Sequence, residues 1–174
     1  MTLDHWRRIV DVNLWGVIYG TMSAYRVMVE QGFGHIVNTS FAAGLAPAAF
    51  ATAYVTTKHA VVGLSTSLRA EGAGLGVKVS VVCPGAISTG IVDAMVYVTD
   101  FRDALERLAG ARFTMMESAR CARVILRGVE RNKAIIPVTG FAHVLWWFNR
   151  LNPNWTALVF RKIVADLRAV RVES

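Results

Sequence analysis

The chain has 174 residues, enough for one domain with a real core. Apolar residues make up 54% of it, yet no uninterrupted apolar run reaches the roughly 18 residues that span a bilayer, so the excess is assigned to buried strands and helices. The net charge of +7 is uneven, with six basic and six acidic residues in 1–101 but thirteen and six in 102–174; no nucleic-acid motif accompanies it, which leaves an anionic membrane surface as the partner a basic C-terminal part would suit. Cys83 and Cys121 have no metal or redox spacing, and Met1 to Arg8 carries no apolar leader, so a cytoplasmic protein is expected.

In chain order, Thr2 is placed to cap a helix from Leu3 to Glu30, on which Trp6, Ile9, Val10, Asn13, Leu14, Val17 and Ile18 recur at helical spacing. Gly32 to Gly34 ends it. His35 to Ser40 reads as a strand, Phe41 to Thr52 as a loop, and Ala53 to Glu71 as a second helix. The segment Gly72-Ala73-Gly74-Leu75-Gly76 is glycine-rich, but it follows a helix and precedes a strand, so it is a helix stop and loop rather than a phosphate cradle. Lys78 to Cys83 reads as a fully buried strand ending at Pro84-Gly85. Ala86 to Asp100 is irregular; Phe101 to Leu108 and Glu117 to Glu130 read as helices, and Ala134 to Val138 as a short strand. Arg120, Arg123, Arg127 and Arg131 share one side of the Glu117 helix, as either a solvated face or a binding stripe. The chain divides into residues 1–140 and a tail, 141–174, that is aromatic and basic. In the tail, Asn152-Pro153-Asn154 breaks the chain and Trp155 to Val170 reads as an amphipathic helix. Trp with basic residues around an apolar stripe suits peripheral contact with a membrane, a cap over a pocket, or a dimer contact.

Tyr54 and Lys58 carry the chemistry. Four residues apart on a helix, they share one face. A cation beside a phenol lowers the phenol's pKa, which makes Tyr54 a candidate proton donor and acceptor near neutral pH. Asn13 taken alone is a polar residue that needs a local partner inside an apolar helix.

Four stretches flank or contain this pair in one order: Asp11-Val12-Asn13-Leu14-Trp15-Gly16, Gly34 to Leu45, Tyr54 to Leu64, and Val77 to Thr89 with Pro84-Gly85. Together they resemble the short-chain dehydrogenase/reductases, nicotinamide-dependent oxidoreductases. The resemblance covers most of residues 3–90. It implies an α/β fold: the last three strands and flanking helices of a partial Rossmann-like, doubly wound parallel sheet. It implies Tyr54 as acid/base, Lys58 as the residue that holds the nicotinamide ribose and tunes Tyr54, and Asn13 at a helix irregularity supporting a relay water. Pro84, Gly85, Ile87 and Thr89 would line the nicotinamide end of an NAD or NADP site, and residues from Ala86 to about Asp100 would cover the substrate. The implied substrate is a small alcohol or ketone, with a lipophilic one expected from the apolar pocket and aromatic tail. Homo-oligomerisation through helices 3–30 and 53–71 is implied as well.

Two departures stand out. The strand, glycine-rich turn and helix that cradle the dinucleotide phosphates in the family are absent from these residues, so the chain is expected to be the later part of a family member. The family's catalytic serine matches Phe41; its neighbour Ser40 would reach the site only through a one-residue shift or bulge at the strand end. A non-catalytic protein that dimerises or binds a membrane surface is the alternative reading.

Overall fold

The computed structural model describes residues 1–89 and 115–172, with side chains to residue 165. The expected cover over the substrate beyond Thr89 and the helix Phe101 to Leu108 lie outside the described residues.

The long first helix forms, but not as one regular rod. It comprises α1 (Leu3–Val10), a π-turn at Asp11–Trp15, and α2 (Gly16–Gln31). Thr2 caps α1 by accepting from the His5 amide at 3.4 Å. At the π-turn the Gly16 amide donates to the Asp11 carbonyl five residues back, so one extra residue is inserted into the helical ladder. Gly32, with φ of 77°, ends α2 in the left-handed conformation.

The chain then enters β1 (Gly34–Thr39) and a short turn at Ala42–Gly44, inside the segment expected to be loop throughout. Next come α3 (Thr52–Gly72) and β2 (Val77–Cys83), joined through a tight turn ending at Gly76, φ 75°. After the undescribed residues follow α4 (Ser118–Glu130), β3 (Ile135–Pro137), α5 (Gly140–Leu151) and α6 (Pro153–Val172). The last helix starts two residues before the expected Trp155. Asn152 is extended and breaks the chain, and Pro153 takes the first helical position, where its missing N–H costs nothing.

The strands form one parallel sheet in the order β1-β2-β3, with Gly34 opposite Val77 and Val81 opposite Ile135. This is the α/β arrangement expected, a partial Rossmann-like sheet flanked by helices. Side chains alternate across each strand. On one face Ile36, Val77 and Val79 meet Leu68 of α3 and Tyr25, Met28 and Val29 of α2; Val81 and Cys83 meet Val61, Leu14, Val17 and Trp146. Arg69 of α3 braces the far end. Its guanidinium donates to the Val79 carbonyl at 2.7 Å and to the side chain and carbonyl of Asn132, both at 2.8 Å, tying α3 to the turn before β3. α4 closes onto β3 because Gly128 leaves room for Ile136; a methyl there would meet its Cγ2 at 2.7 Å. The four arginines Arg120, Arg123, Arg127 and Arg131 are exposed, as a solvated face requires.

Candidate functional site

Three elements meet at the C-terminal edge of the sheet. β1 runs out through Ser40 and Phe41, β2 through Cys83 and Pro84, and the first turns of α3 present Tyr54 and Lys58 beside them. In open parallel sheets this edge is where ligands bind.

α3 needs no strong cap to hold the pair, because it is packed along its length: Ala53, Thr57, Val61, Ser65 and Leu68 are buried at helical spacing. That stripe fixes the helix's rotation, and the neighbouring stripe carries Tyr54 and Lys58, both half-buried. Lys58 Nζ lies 5.4 Å from the centroid of the Tyr54 ring. It lies over the ring, a cation–π placement.

The surroundings correct the expectation for the phenol. Burial pushes the Tyr54 hydroxyl up to about 12 instead of letting Lys58 draw it down. Burial also lowers Lys58 below the usual lysine range, with the Cys83 thiol opposing this in part. In low-dielectric surroundings both groups are pushed toward their neutral forms.

Ser40 is a second correction. The residue is 3% exposed, and its hydroxyl donates to the Lys58 carbonyl at 2.8 Å, which ties the strand end to α3. It also interacts with Cys83, whose thiol burial pushes up to about 12 while Ser40 and Lys58 draw it down. No bulge shifts the strand: the ladder runs on evenly, with the Ser40 amide donating to Val82 at 2.9 Å and the Ala42 amide to Pro84 at 2.7 Å. Ser40 therefore stays on the core face, and Phe41 is the residue beside Tyr54, its ring edge-on with centroids 6.0 Å apart. Gly44 allows the close approach behind them, since a Cβ there would lie 2.6 Å from the Lys58 carbonyl oxygen.

Asn13 is half-buried at the centre of the π-turn, which packs against α3. Beyond β2, Gly85 is buried against the Thr139 side chain, and Pro84 and Ile87 are half-buried. The chain is then pinned by reciprocal bonds with Met116, from the Ser88 amide at 2.9 Å and to Ala86 at 3.1 Å. Thr89 is exposed at the limit of the described stretch.

Sequence reasoning passed over Asn38. Its carbonyl oxygen accepts from Thr21 at 3.0 Å, its amide donates to Ser65 at 3.1 Å, and Ser65 donates to the Val61 carbonyl at 2.7 Å. This buried chain joins α2, β1 and α3: the helix that continues from the π-turn of Asn13, the strand that leads to Ser40, and the helix of the Tyr–Lys pair. The signal was present as a lone Asn in an apolar strand, which demands partners on both sides when buried.

The family model of the short chain dehydrogenases matches residues 1–97, more than half of the chain. This chain belongs to the short chain dehydrogenase family. A probable oxidoreductase, EphD, of Mycobacterium tuberculosis is 34% identical over 160 residues, covering 87% of this chain and 27% of that protein. Among solved structures, a 3-oxoacyl-[acyl-carrier protein] reductase with bound NAD from Brucella melitensis is 29% identical, with a TM-score of 0.64 over 80% of this chain and 52% of that one. A short-chain dehydrogenase from Sphingobium yanoikuyae in complex with NADPH shares the fold at 23% identity, with a TM-score of 0.71 over 91% of this chain and 57% of that one. The chain thus spans about a quarter of the mycobacterial relative and about half of the solved short-chain dehydrogenases. Among the described residues no helix is long and apolar enough to cross a membrane.

Proposed function

We propose that this chain carries the proton-transfer half of an oxidoreductase that interconverts an alcohol and a ketone with NAD or NADP. The observation that carries the reading is the Tyr54–Lys58 pair, half-buried beside the strand ends with the ammonium 5.4 Å from the ring. The residues suit the nicotinamide end of such a cofactor. Lys58 makes no ion pair among the described residues, so its donors remain available to ribose hydroxyls. Pro84, Gly85, Ile87 and Thr89 supply the opposite wall. When bound, the dinucleotide gives or takes the hydride.

Tyr54 moves the proton. In reduction its phenol donates to the oxygen of the carbonyl as negative charge builds there; in oxidation a phenolate accepts from the hydroxyl. A phenol pushed up to about 12 is a ready hydrogen-bond donor and a reluctant acid. A cation close to the oxygen would ease that cost, the role assigned to Lys58. Asn13 at the π-turn supports the relay water. With Phe41 beside Tyr54, the substrate oxygen has one side-chain donor where the family usually supplies two; loss of one such donor typically costs about 3 to 4 kcal/mol of transition-state stabilisation.

A lipophilic substrate is supported by an open depression of about 370 Å³ between the loop leading into α3 and α6, walled mainly by Pro47, Ala48, Ala49, Phe160 and Val164, with Arg161 as its charged member. Homo-oligomerisation through helices 3–30 and 53–71 is supported by Val12, Trp15, Tyr19 and Met22, which α2 and the π-turn leave exposed.

The test is turnover of apolar ketones with NADH and NADPH by the protein as expressed from its own gene. Tyr54→Phe is expected to lower turnover by about a hundredfold or more, with the fold retained. Survival of turnover in that variant removes Tyr54 from the mechanism. The second reading, a non-catalytic dimer, is favoured by Phe41 at the serine position; it stands if the unaltered protein turns over with neither cofactor.

A further inference from the structure

We propose that the outer surface of the α5–α6 hairpin is a docking surface for an anionic lipid membrane. The proposal is independent of the catalytic reading.

The hairpin has an anchored side and an open side. On the anchored side Ala142 is buried, Trp146 packs against the cluster of Leu45, Val61, Val81 and Cys83, the Asn149 amide donates to the Leu45 carbonyl at 3.0 Å, and Thr156 is buried. On the open side of α5, Phe141, Val144, Phe148 and Leu151 recur at one-face spacing, with Trp147 beside them. α6 continues the surface with Trp155, Leu158 and Val159. The two stripes are one surface because Phe148 and Trp155 meet across the turn, ring centroids 5.3 Å apart. Val144 is 68% and Leu151 72% exposed, values that an ordinary core-facing stripe would reverse. Contiguous exposed apolar surface on this scale marks an interaction site.

Charge selects the occupant. Across the two helices of the hairpin the sequence places Arg150, Arg161, Lys162, Arg168 and Arg171 against a single acid, Asp166. Arg150, Arg161 and Lys162 are exposed, Lys162 within the apolar stripe of α6 one turn after Leu158 and Arg161 at its side, and the Arg150 guanidinium lies 5.8 Å over the Trp146 ring. A second copy docked face to face would set this surplus of cations against its own image, with one acid to five cations on each side. An anionic lipid surface answers them all. Long basic side chains can reach headgroups while Trp147, Trp155 and Leu151 sink into the boundary between headgroup and acyl chain.

The experiment is flotation of the 174-residue chain with vesicles of phosphatidylcholine, with and without about 30 mole per cent phosphatidylglycerol. Binding to the anionic vesicles is expected to exceed binding to the neutral ones by about tenfold or more. Trp147→Glu with Leu151→Glu is expected to cut anionic binding by about tenfold, and Arg161→Glu with Lys162→Glu to abolish the preference for anionic lipid. All four positions are exposed, so an unchanged circular dichroism spectrum checks the fold, and the charge pair keeps the test alive should the apolar pair misfold. Binding to neither vesicle, or equal binding to both, overturns the proposal. So does a dimer in sedimentation velocity that the Leu151→Glu variant alone dissolves, which would make the surface a contact between copies.

Discussion

The sheet with α3 and the α5–α6 hairpin are both rich in large apolar side chains, yet they spend them in opposite directions. Val61, Val79 and Val81 are sealed from water, whereas the hairpin turns Val144, Trp147, Leu151 and Leu158 outward. Hydrophobicity alone therefore does not separate a core from a contact surface; what separates them is whether polar groups on the same element have been brought indoors and satisfied. Around α3 they have. Asn38, Ser65 and Thr21 form a closed chain, and Ser40 is tied to the Lys58 carbonyl. On the outer hairpin the polar groups are cations left in water.

The largest expected effect falls where the inward half is tightest. In Gly44→Ala the new methyl would sit 2.6 Å from the Lys58 carbonyl oxygen and 3.0 Å from its carbon, both backbone atoms that cannot rotate away. We expect a loss of about 3 kcal/mol in urea unfolding, at the upper end for overpacking. Gly63→Ala, on the same helix as Lys58 and with nothing within 4 Å, should instead gain about 0.5 to 1 kcal/mol. Equal effects at the two glycines would mean that α3 does not press on the strand end as described.

A smaller effect comes from pH. The Cys83 thiol is pushed from 9.0 to about 12, and the Tyr54 phenol from 10.0 to about 12, in both cases by burial. The folded chain thus keeps protons that the unfolded chain gives up. Stability from this source is fully present below pH 9 and is lost as pH rises toward 12. Stability in thermal unfolding should fall above pH 9, with about 1 kcal/mol lost by pH 10 through Cys83, offset in part by Lys58, whose lowered pKa adds stability as pH rises toward its unfolded value of 10.5. Cys83→Ala should delay the onset of that fall by about one pH unit, leaving Tyr54 to cause it. A profile above pH 9 that Cys83→Ala leaves unchanged would contradict the burial of the thiol.

What could be read from residues alone follows the same divide. Tyr54 and Lys58 on one helix, the strand exit at Pro84-Gly85 and the stop at Gly32 were legible because each is a local rule: helical spacing, a missing donor, a left-handed φ. The orientation of Ser40 was legible as a question, since alternation placed it and Phe41 on opposite faces, but the answer lay in whether the ladder slips, which only the pairing with Val82 and Pro84 settles. The direction of the Tyr54 shift was misread because one charged neighbour was weighed and the desolvation by many uncharged ones was not. In the tail, the aromatic run before Asn152 showed no element of its own by composition. It becomes α5 because Thr139 caps it, accepting from the Ala142 amide at 3.1 Å, and because Trp146 and Asn149 find partners that lie far away in sequence.

The smallest effect is the one that sharpens the comparison most. Leu151→Glu replaces a large apolar side chain with a charge, a change that at Val81 or Val61 would leave a buried carboxylate unpaired and unfold the chain. At Leu151 the side chain already meets water, being 72% exposed, and Arg150 precedes it at the end of α5. The new carboxylate near a helix C-terminus meets an unfavourable dipole of a few tenths of a kcal/mol, partly offset by that neighbouring cation. Folding stability should therefore stay within about 0.5 kcal/mol of the unaltered chain. A loss of 2 kcal/mol or more in urea unfolding, about what removing a buried leucine costs, would show that Leu151 is covered when the chain is folded in solution. The outward stripe would then be core, and the two regions would be spending their apolar residues in the same direction after all.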